Sequence, residues 1–363
     1  FSSLRGFPVP EPFKKPPRRR PIFAPTANDH LGRDTLLVLK YQTRDEVRQS
    51  SIAGRPERRT AYHFDFAAWY DQFEYDDPVS RRFAFAAPDG SVYCLKRLAM
   101  GQRQSGEVAQ GATWVLTDFP KGRTVSTTTM VDNVRFVGDR AEARDAARQF
   151  LVRCKRAGAT LNDMPPGFDP ETATDAEIEA LASNNETFLG EEFDYRASKV
   201  RVAEKSVTKL KASWERRRDW SITNLAAHMS LLFFCSGSLG VSPARFFDAL
   251  RVFRRACADT ASGKKRWDDR CPDLNGEALK QLTVWTNECI ANEWRTISPK
   301  APDEHTHIII TDASGDGWGA LCVDLRTGTV KIESGTWAST EADRMRHSTN
   351  AEPEGVYKAL CRF

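Results

Sequence analysis

Short stretches of alternating apolar and polar residues dominate the first two hundred positions. Residues 61–67 alternate around Tyr62, Phe64 and Phe66 and predict a strand, followed by a helix start at 69–73. Residues 82–86 and 91–95 flank Pro88-Asp89-Gly90 and predict a hairpin. Two further short strands within 124–137 turn at Asp132-Asn133. Helical spacing appears at 105–119 and again at 141–157, where Ala143, Ala147, Phe150, Leu151 and Cys154 share a face. Residues 34–47 fit either period. The acidic, Pro-containing stretch 163–185 reads as a surface insertion, and 192–202 as another hairpin.

From Ser206 to about Glu293 the pattern is helical, with Ser221 and Ser242 as expected caps. Residues 299–304 break the chain. Residues 307–312 then form a strand that ends in an acid. Strands at 317–324 and 329–333 follow around Arg326-Thr327-Gly328, and a helix begins at 351. This is an α+β chain in three regions: 1–200 of mixed strand and helix, a helical segment 206–295, and 303–363 as the hairpin opening of a second α/β domain.

Composition narrows the class. The 363 residues are 28% charged, and the longest apolar run, 229–235 with Ser230 interrupting it, is far below the ~20 residues of a membrane span, so a membrane bundle is excluded. The eight cysteines never lie within ten residues of one another, which excludes zinc knuckles and fits reduced thiols in an intracellular protein. The six histidines are dispersed without metal-ligand spacing. Net charge is only +4, but residues 1–60 hold 13 Lys and Arg against 6 acids. A basic arm on a near-neutral body points to a polyanionic partner. The first 25 residues, rich in Pro and Arg, should be extended with little regular structure. Phe1 stands where an initiator Met would, as expected of a processed product or a piece of a longer polypeptide.

The chemistry concentrates in acids at strand ends. Asp65 closes a hydrophobic strand, and Asp132 sits in a tight turn between two apolar strands. If these strands pair, the carboxylates meet, and two rigid carboxylates suit two magnesium ions in a phosphoryl transfer.

In order and spacing these motifs resemble the reverse transcriptase module of retroelements joined to a ribonuclease H, of the long-terminal-repeat or tyrosine-recombinase (DIRS-like) type. Asp65 stands at that family's first catalytic acid, Tyr70 at its steric-gate position, and Gln72 at the glutamine that commonly follows. Leu98-Ala99-Met100-Gly101 is similar to the L-P-x-G loop, which leads to Gln110. Met130-Val131-Asp132-Asn133 resembles the Tyr-x-Asp-Asp turn. Ala157-Gly158-Ala159-Thr160-Leu161-Asn162 resembles the G-L-x-L-N strand, and Phe188-Leu189-Gly190 the primer-grip hairpin. Arg18-Arg19-Arg20 resembles the basic fingers strand that holds a triphosphate. Farther on, Ile308-Ile309-Ile310-Thr311-Asp312-Ala313-Ser314-Gly315-Asp316-Gly317-Trp318-Gly319 resembles the first ribonuclease H hairpin. Residues 350–360 resemble the helix that carries its second acid, Glu352 in the better register and Glu354 as the alternative.

The resemblance implies a right-hand polymerase. Residues 1–60 would be the basic arm and fingers, 61–200 the palm, 201–300 a helical thumb and connection, and 301–363 the start of a ribonuclease H-like α/β domain. It implies RNA-directed DNA polymerase and ribonuclease H activities, with Asp65, Asp132, Asn133, Asp312 and Glu352 as catalytic positions. Arg19, Arg20, Tyr70, Gln72, Gly101 and Gln110 would bind substrate. Two Mg2+ ions, or Mn2+, would sit at Asp65 and Asp132, and two more at Asp312 and Glu352 if that domain is complete. The partners implied are an RNA template, a DNA primer, dNTPs and an RNA–DNA hybrid, with no membrane, in nucleus, cytoplasm or an organelle. The chain departs from the family pattern at four places. Asn133 replaces the second acid of the turn, Met130 its Tyr, and Ala99 the loop's Pro. Asp163-Met164-Pro165 stands where a Lys often follows L-N. The Asp-Asn turn, the missing Lys and the incomplete ribonuclease H favour a second reading: a domesticated, catalytically degenerate relative that serves as an RNA-binding or structural subunit of a large ribonucleoprotein.

Overall fold

The computed structural model describes residues 39, 41–87, 89–271, 274–300 and 306–363, together with the backbone of 4–11 and 18–25. The chain divides into two compact units, Phe1–Pro299 and Lys300–Phe363.

In the first unit the backbone of β1 (Leu4–Glu11) pairs antiparallel with β2 (Arg18–Pro25), so this Pro-rich segment is more regular than its composition predicts. Helix α1 (Arg44–Ser51) begins at a capping box between Thr43 and Glu46. Strand β3 (Arg59–Asp65) follows. A short α2 (Asp77–Ser80), the hairpin β4 (Ala84–Ala86) and β5 (Val92–Cys94), and helix α3 (Ser105–Thr117) lead to β6 (Ser126–Met130) and β7 (Asn133–Asp139). The antiparallel sheet has the order β3-β7-β6. Helix α4 (Arg140–Arg156) covers one face, where Phe150 meets Phe64 and Phe136 at 5.3 and 5.5 Å between ring centroids. The expected surface insertion is partly core. Its helix α5 (Asp175–Glu179), fixed by a Thr174–Glu177 capping box, drives Ile178 into full burial against these aromatics.

Strands β8 (Asn185–Phe188), β9 (Glu191–Asp194) and β10 (Lys199–Val202) precede four helices: α6 (Glu204–Glu215), α7 (Ile222–Leu239), α8 (Phe247–Ala261) and α9 (Gly276–Ala291). Strand β11 (Arg295–Thr296) returns to complete a sheet of order β11-β10-β9-β8. Arg135 of β7 joins the two sheets. Fully buried, its guanidinium donates to Val47 O (2.7 Å) and Ser50 Oγ (2.9 Å) and lies over the rings of Phe188 and Phe193, 4.4 and 4.7 Å from their centroids. Glu191 accepts from both Arg44 (2.7 Å) and Arg48 (2.6 Å), tying α1 to β9, and Arg44 also donates to Phe234 O of α7 (2.9 Å).

By length and composition α7 is the one helix among the described residues that could cross a membrane. Its Leu225, Met229, Leu232 and Cys235 are buried in a cluster with residues of α6, α8 and α9, which is how a core helix packs. Ser221 caps α7 as expected, whereas Ser242 precedes a short 3-10 turn without a side-chain cap.

In the second unit β12 (His307–Ala313), β13 (Gly317–Asp324) and β14 (Val330–Thr336) form an antiparallel sheet in that order, followed by α10 (Ala342–Met345) and α11 (Ser348–Arg362). A Cβ at Gly355 would sit 3.2 Å from Cβ of Ala313, so glycine lets α11 lie close against β12.

The helical cluster encloses His228, fully buried between Trp214 and Trp220 and hydrogen-bonded to Ser213 and Thr286. Burial pulls its imidazole down to about 4. The unfolded imidazole titrates near 6.5, so between these values the unfolded chain binds more protons. Stability should therefore be complete above about pH 6.5 and fall as the pH drops toward 4, by on the order of 3 kcal/mol. Urea unfolding followed by tryptophan fluorescence at pH 7.5 and 4.5 measures this. His228→Gln should flatten the dependence, and an unchanged slope in that variant would assign it to other groups.

Candidate active site

Strand β3 ends where β7 begins, with Asp65 directly opposite Asn133. Strands β6 and β7 join through Val131 and Asp132, since Met130 pairs with Asn133. The turn therefore centres one residue earlier than the sequence predicts. Val131 carries a φ of +54°. A β-branched residue there stores about 1–3 kcal/mol of strain, which the surroundings must hold. Helix α3 holds it. Gln110 Oε1 accepts from Val131 N (2.7 Å), Thr113 Oγ1 donates to Val131 O (2.5 Å), and Gln110 Nε2 donates to Thr129 Oγ1 (3.1 Å). Trp69, stacked on Phe66 at 3.8 Å between ring centroids, donates from Nε1 to Ala109 O (3.1 Å) and fixes this part of α3 to the end of β3. Phe66 N donates to Asp132 O (2.9 Å), which closes the turn against β3.

Each carboxylate at this sheet end receives an asparagine amide. Asn162 Nδ2 donates to Asp65 Oδ2 (2.7 Å), and Asn162 N to Asp65 O (2.8 Å). Asn133 Nδ2 donates to Asp132 Oδ1 (3.0 Å), and Asn133 Oδ1 lies 2.9 Å from His63 Nε2. Tyr70, on a 3-10 turn from Trp69 to Gln72, is half-buried beside them. Burial, and next the charge of Asp132, hold its phenol above the ordinary value. Both acids are half-buried. Among the described residues no three His, Cys, Asp or Glu side chains converge as a metal group. What the site offers a ligand is two carboxylates, hard oxygen donors that fit a divalent cation.

The remaining expected site residues fall in different surroundings. The Gln72 amide is committed to backbone: Nε2 donates to Ala67 O (2.5 Å) and Thr160 O (2.9 Å), and Oε1 accepts from Thr160 N (2.8 Å). It thereby fixes the segment that brings Asn162 to Asp65. Gln110 is buried beneath the turn. Gly101, exposed before α3, has a φ of +110°, a conformation glycine adopts readily. The side chains of Arg19 and Arg20 lie outside the described residues. Asp312 and Glu352 are both exposed and share no hydrogen bond or ion pair. Asp312 alternates onto the face of β12 that bears exposed Ile308 and Ile310, while Ile309 and Ala313 pack into the core beside Ala351 and Ala359 of α11. Glu354 pairs with Arg344 (3.3 Å) and Lys358 (3.9 Å). Sequence reasoning passed over His63, Thr113 and the bond from Asn162. Period-two spacing from Asp65 was the available signal for His63, which shares its face of β3.

No protein-family model and no curated protein matches the chain. Solved structures of foamy viral protease-reverse transcriptase do. The form designated dRH in complex with double-stranded DNA is 12% identical with a TM-score of 0.55, over 99% of this chain and 56% of that one. A second complex with double-stranded DNA is 13% identical with a TM-score of 0.54, over 94% and 62%. A complex with an RNA/DNA hybrid is 13% identical with a TM-score of 0.54, over 99% and 42%. The chain thus spans between 42% and 62% of the length of these proteins. The likeness shows a reverse-transcriptase-like fold of mixed helix and sheet.

The clamp on Val131 has a direct test in stability. Gln110→Leu leaves the Val131 N–H without its acceptor and should cost about 1–3 kcal/mol in urea unfolding. Gln110→Glu, compared with it at about pH 4.5 where burial keeps the new acid neutral, keeps an acceptor at that place and should cost less. Equal losses in the two variants would mean that the amide oxygen does not restrain the turn.

Proposed function

We propose that the chain is an RNA-directed DNA polymerase whose site is built on Asp65 and Asp132. One observation carries this reading: the register that sets Asp65 opposite Asn133 brings both acids to one sheet end, with Tyr70 beside them, in a reverse-transcriptase-like fold. Mg2+, with Mn2+ as a substitute, is the cation these oxygens would hold, and there it would neutralise charge developing on phosphoryl oxygens. The chain's own residues do the rest. Asn162 and Asn133 orient the carboxylates. Tyr70 stands where an incoming sugar would pack, so its ring selects against a 2′-hydroxyl. A primer duplex, DNA or RNA–DNA hybrid, with a dNTP is the proposed substrate. Residues 1–60, 61–200 and 201–300 are proposed as arm and fingers, palm, and thumb with connection. The second unit is proposed as the opening of a ribonuclease H-like domain, with Asp312 and Glu352 as its acids.

Asn133 in place of an acid favours a second reading, a degenerate relative retained as an RNA-binding or structural subunit. Primer extension titrated with Mg2+ and Mn2+ decides between them. The wild type should extend a primer, Asp132→Asn should abolish extension, and Asn133→Asp should lower the metal concentration required. Extension by Asn133→Asp alone would favour the degenerate subunit. Extension by Asp132→Asn would remove the two-carboxylate account.

Tyr70→Val should raise ribonucleotide incorporation relative to deoxyribonucleotide by tenfold or more, on the order of 1.4 kcal/mol of lost discrimination. Single-nucleotide incorporation kinetics provide the ratio. An unchanged ratio in an active enzyme would place Tyr70 away from the sugar.

A further inference from the structure

We propose that His63 is a positioning residue for this site, acting through Asn133 on Asp132; the proposal rests on the two-carboxylate reading above. The geometry is a chain of three groups. His63 Nε2 lies 2.9 Å from Asn133 Oδ1, and Asn133 Nδ2 donates to Asp132 Oδ1 across 3.0 Å. An asparagine amide has two unlike ends, and only its NH2 end can face a carboxylate favourably. Turned over, it would set Oδ1 against Asp132. His63, as its Nε2–H tautomer, donates to Oδ1 and selects the orientation that points the NH2 group at Asp132. The imidazole is itself held. It shares a strand face with Asp65, and its ring meets the buried Phe188 ring edge-on, at 5.1 Å and 84°.

Asp65 is oriented in parallel by Asn162 across 2.7 Å, so each acid receives a neutral amide donor. An amide at position 133 leaves the site one negative charge short of an acid there. The histidine restores the order, though not the charge, that a second carboxylate would bring. Groups that orient ligands in this way commonly govern metal affinity by about tenfold or more.

The test is Mn2+ binding to the whole chain without nucleic acid or nucleotide, read by electron paramagnetic resonance. Asp132→Asn should lose binding. His63→Phe, which keeps an aromatic ring against Phe188, should weaken it about tenfold. His63→Gln, which retains an N–H donor, should return it to within about threefold. In an Asn133→Ala background there is no amide to orient, so His63→Phe should have no further effect. His63→Met serves if the Phe variant loses its native circular dichroism. Wild-type Mn2+ affinity in the folded His63→Phe or His63→Met chain overturns the proposal, as does an undiminished effect in the Asn133→Ala background. Asp132→Asn that binds Mn2+ like the wild type, or a wild type that binds none, overturns the two-carboxylate reading and this proposal with it.

Discussion

The left-handed backbone at Val131 is the constraint on which the candidate site turns. A valine leaves this conformation unless something opposes its relaxation. Here the opposition is specific: both backbone polar groups of Val131 are bonded to α3, by an amide and by a hydroxyl. The helix is in turn fixed to the end of β3 through Trp69. Three separate pieces of chain therefore agree on where Asp132 stands. Strain at one residue is tolerated because rigid neighbours on every side depend on the same geometry.

A division of labour among amides runs through the site. Gln72 contacts neither carboxylate, yet it determines where Thr160 lies and so where Asn162 reaches Asp65. Gln110 acts on backbone rather than on a ligand. Side-chain amides suit such tasks because each offers a donor and an acceptor without charge, so they can order carboxylates without cancelling them.

Much of the fold was legible in the sequence. Period-two spacing around Tyr62, Phe64 and Phe66 located β3, and helical spacing located α3 and α4, because each element buries one apolar face over several repeats. The exceptions have physical causes. The helix carrying Ile178 is five residues long, too short for a periodic signal, and its capping box sits in an acidic stretch that resembles a loop. The turn was placed one residue late because Asp-Asn is a common turn pair, whereas valine at positive φ is not chosen from local preference. Of the site, the two acids stood out as strand ends. The bonds they receive from Asn162 and Asn133 did not, since a motif position says nothing of what the two ends of an amide will bond. His63 looked like any of six scattered histidines until the register set Asn133 within its reach.

Arg135 has a consequence for the order in which the chain acquires its structure. Among the described residues no carboxylate pairs with this buried cation; one carbonyl, three hydroxyls and aromatic rings surround it, and its Nε has no hydrogen-bond partner. Its enclosure comes from Val47 and Ser50 on one side and from Phe188, Phe193 and Tyr195 on the other. During synthesis β7 can pair with β3 and β6 long before those rings exist. Until residues up to Tyr195 have left the ribosome, the strand that begins at Asn133 carries a half-hydrated guanidinium and cannot reach its final burial. The sheet bearing the two acids is thus committed late, by aromatic residues far downstream in the chain.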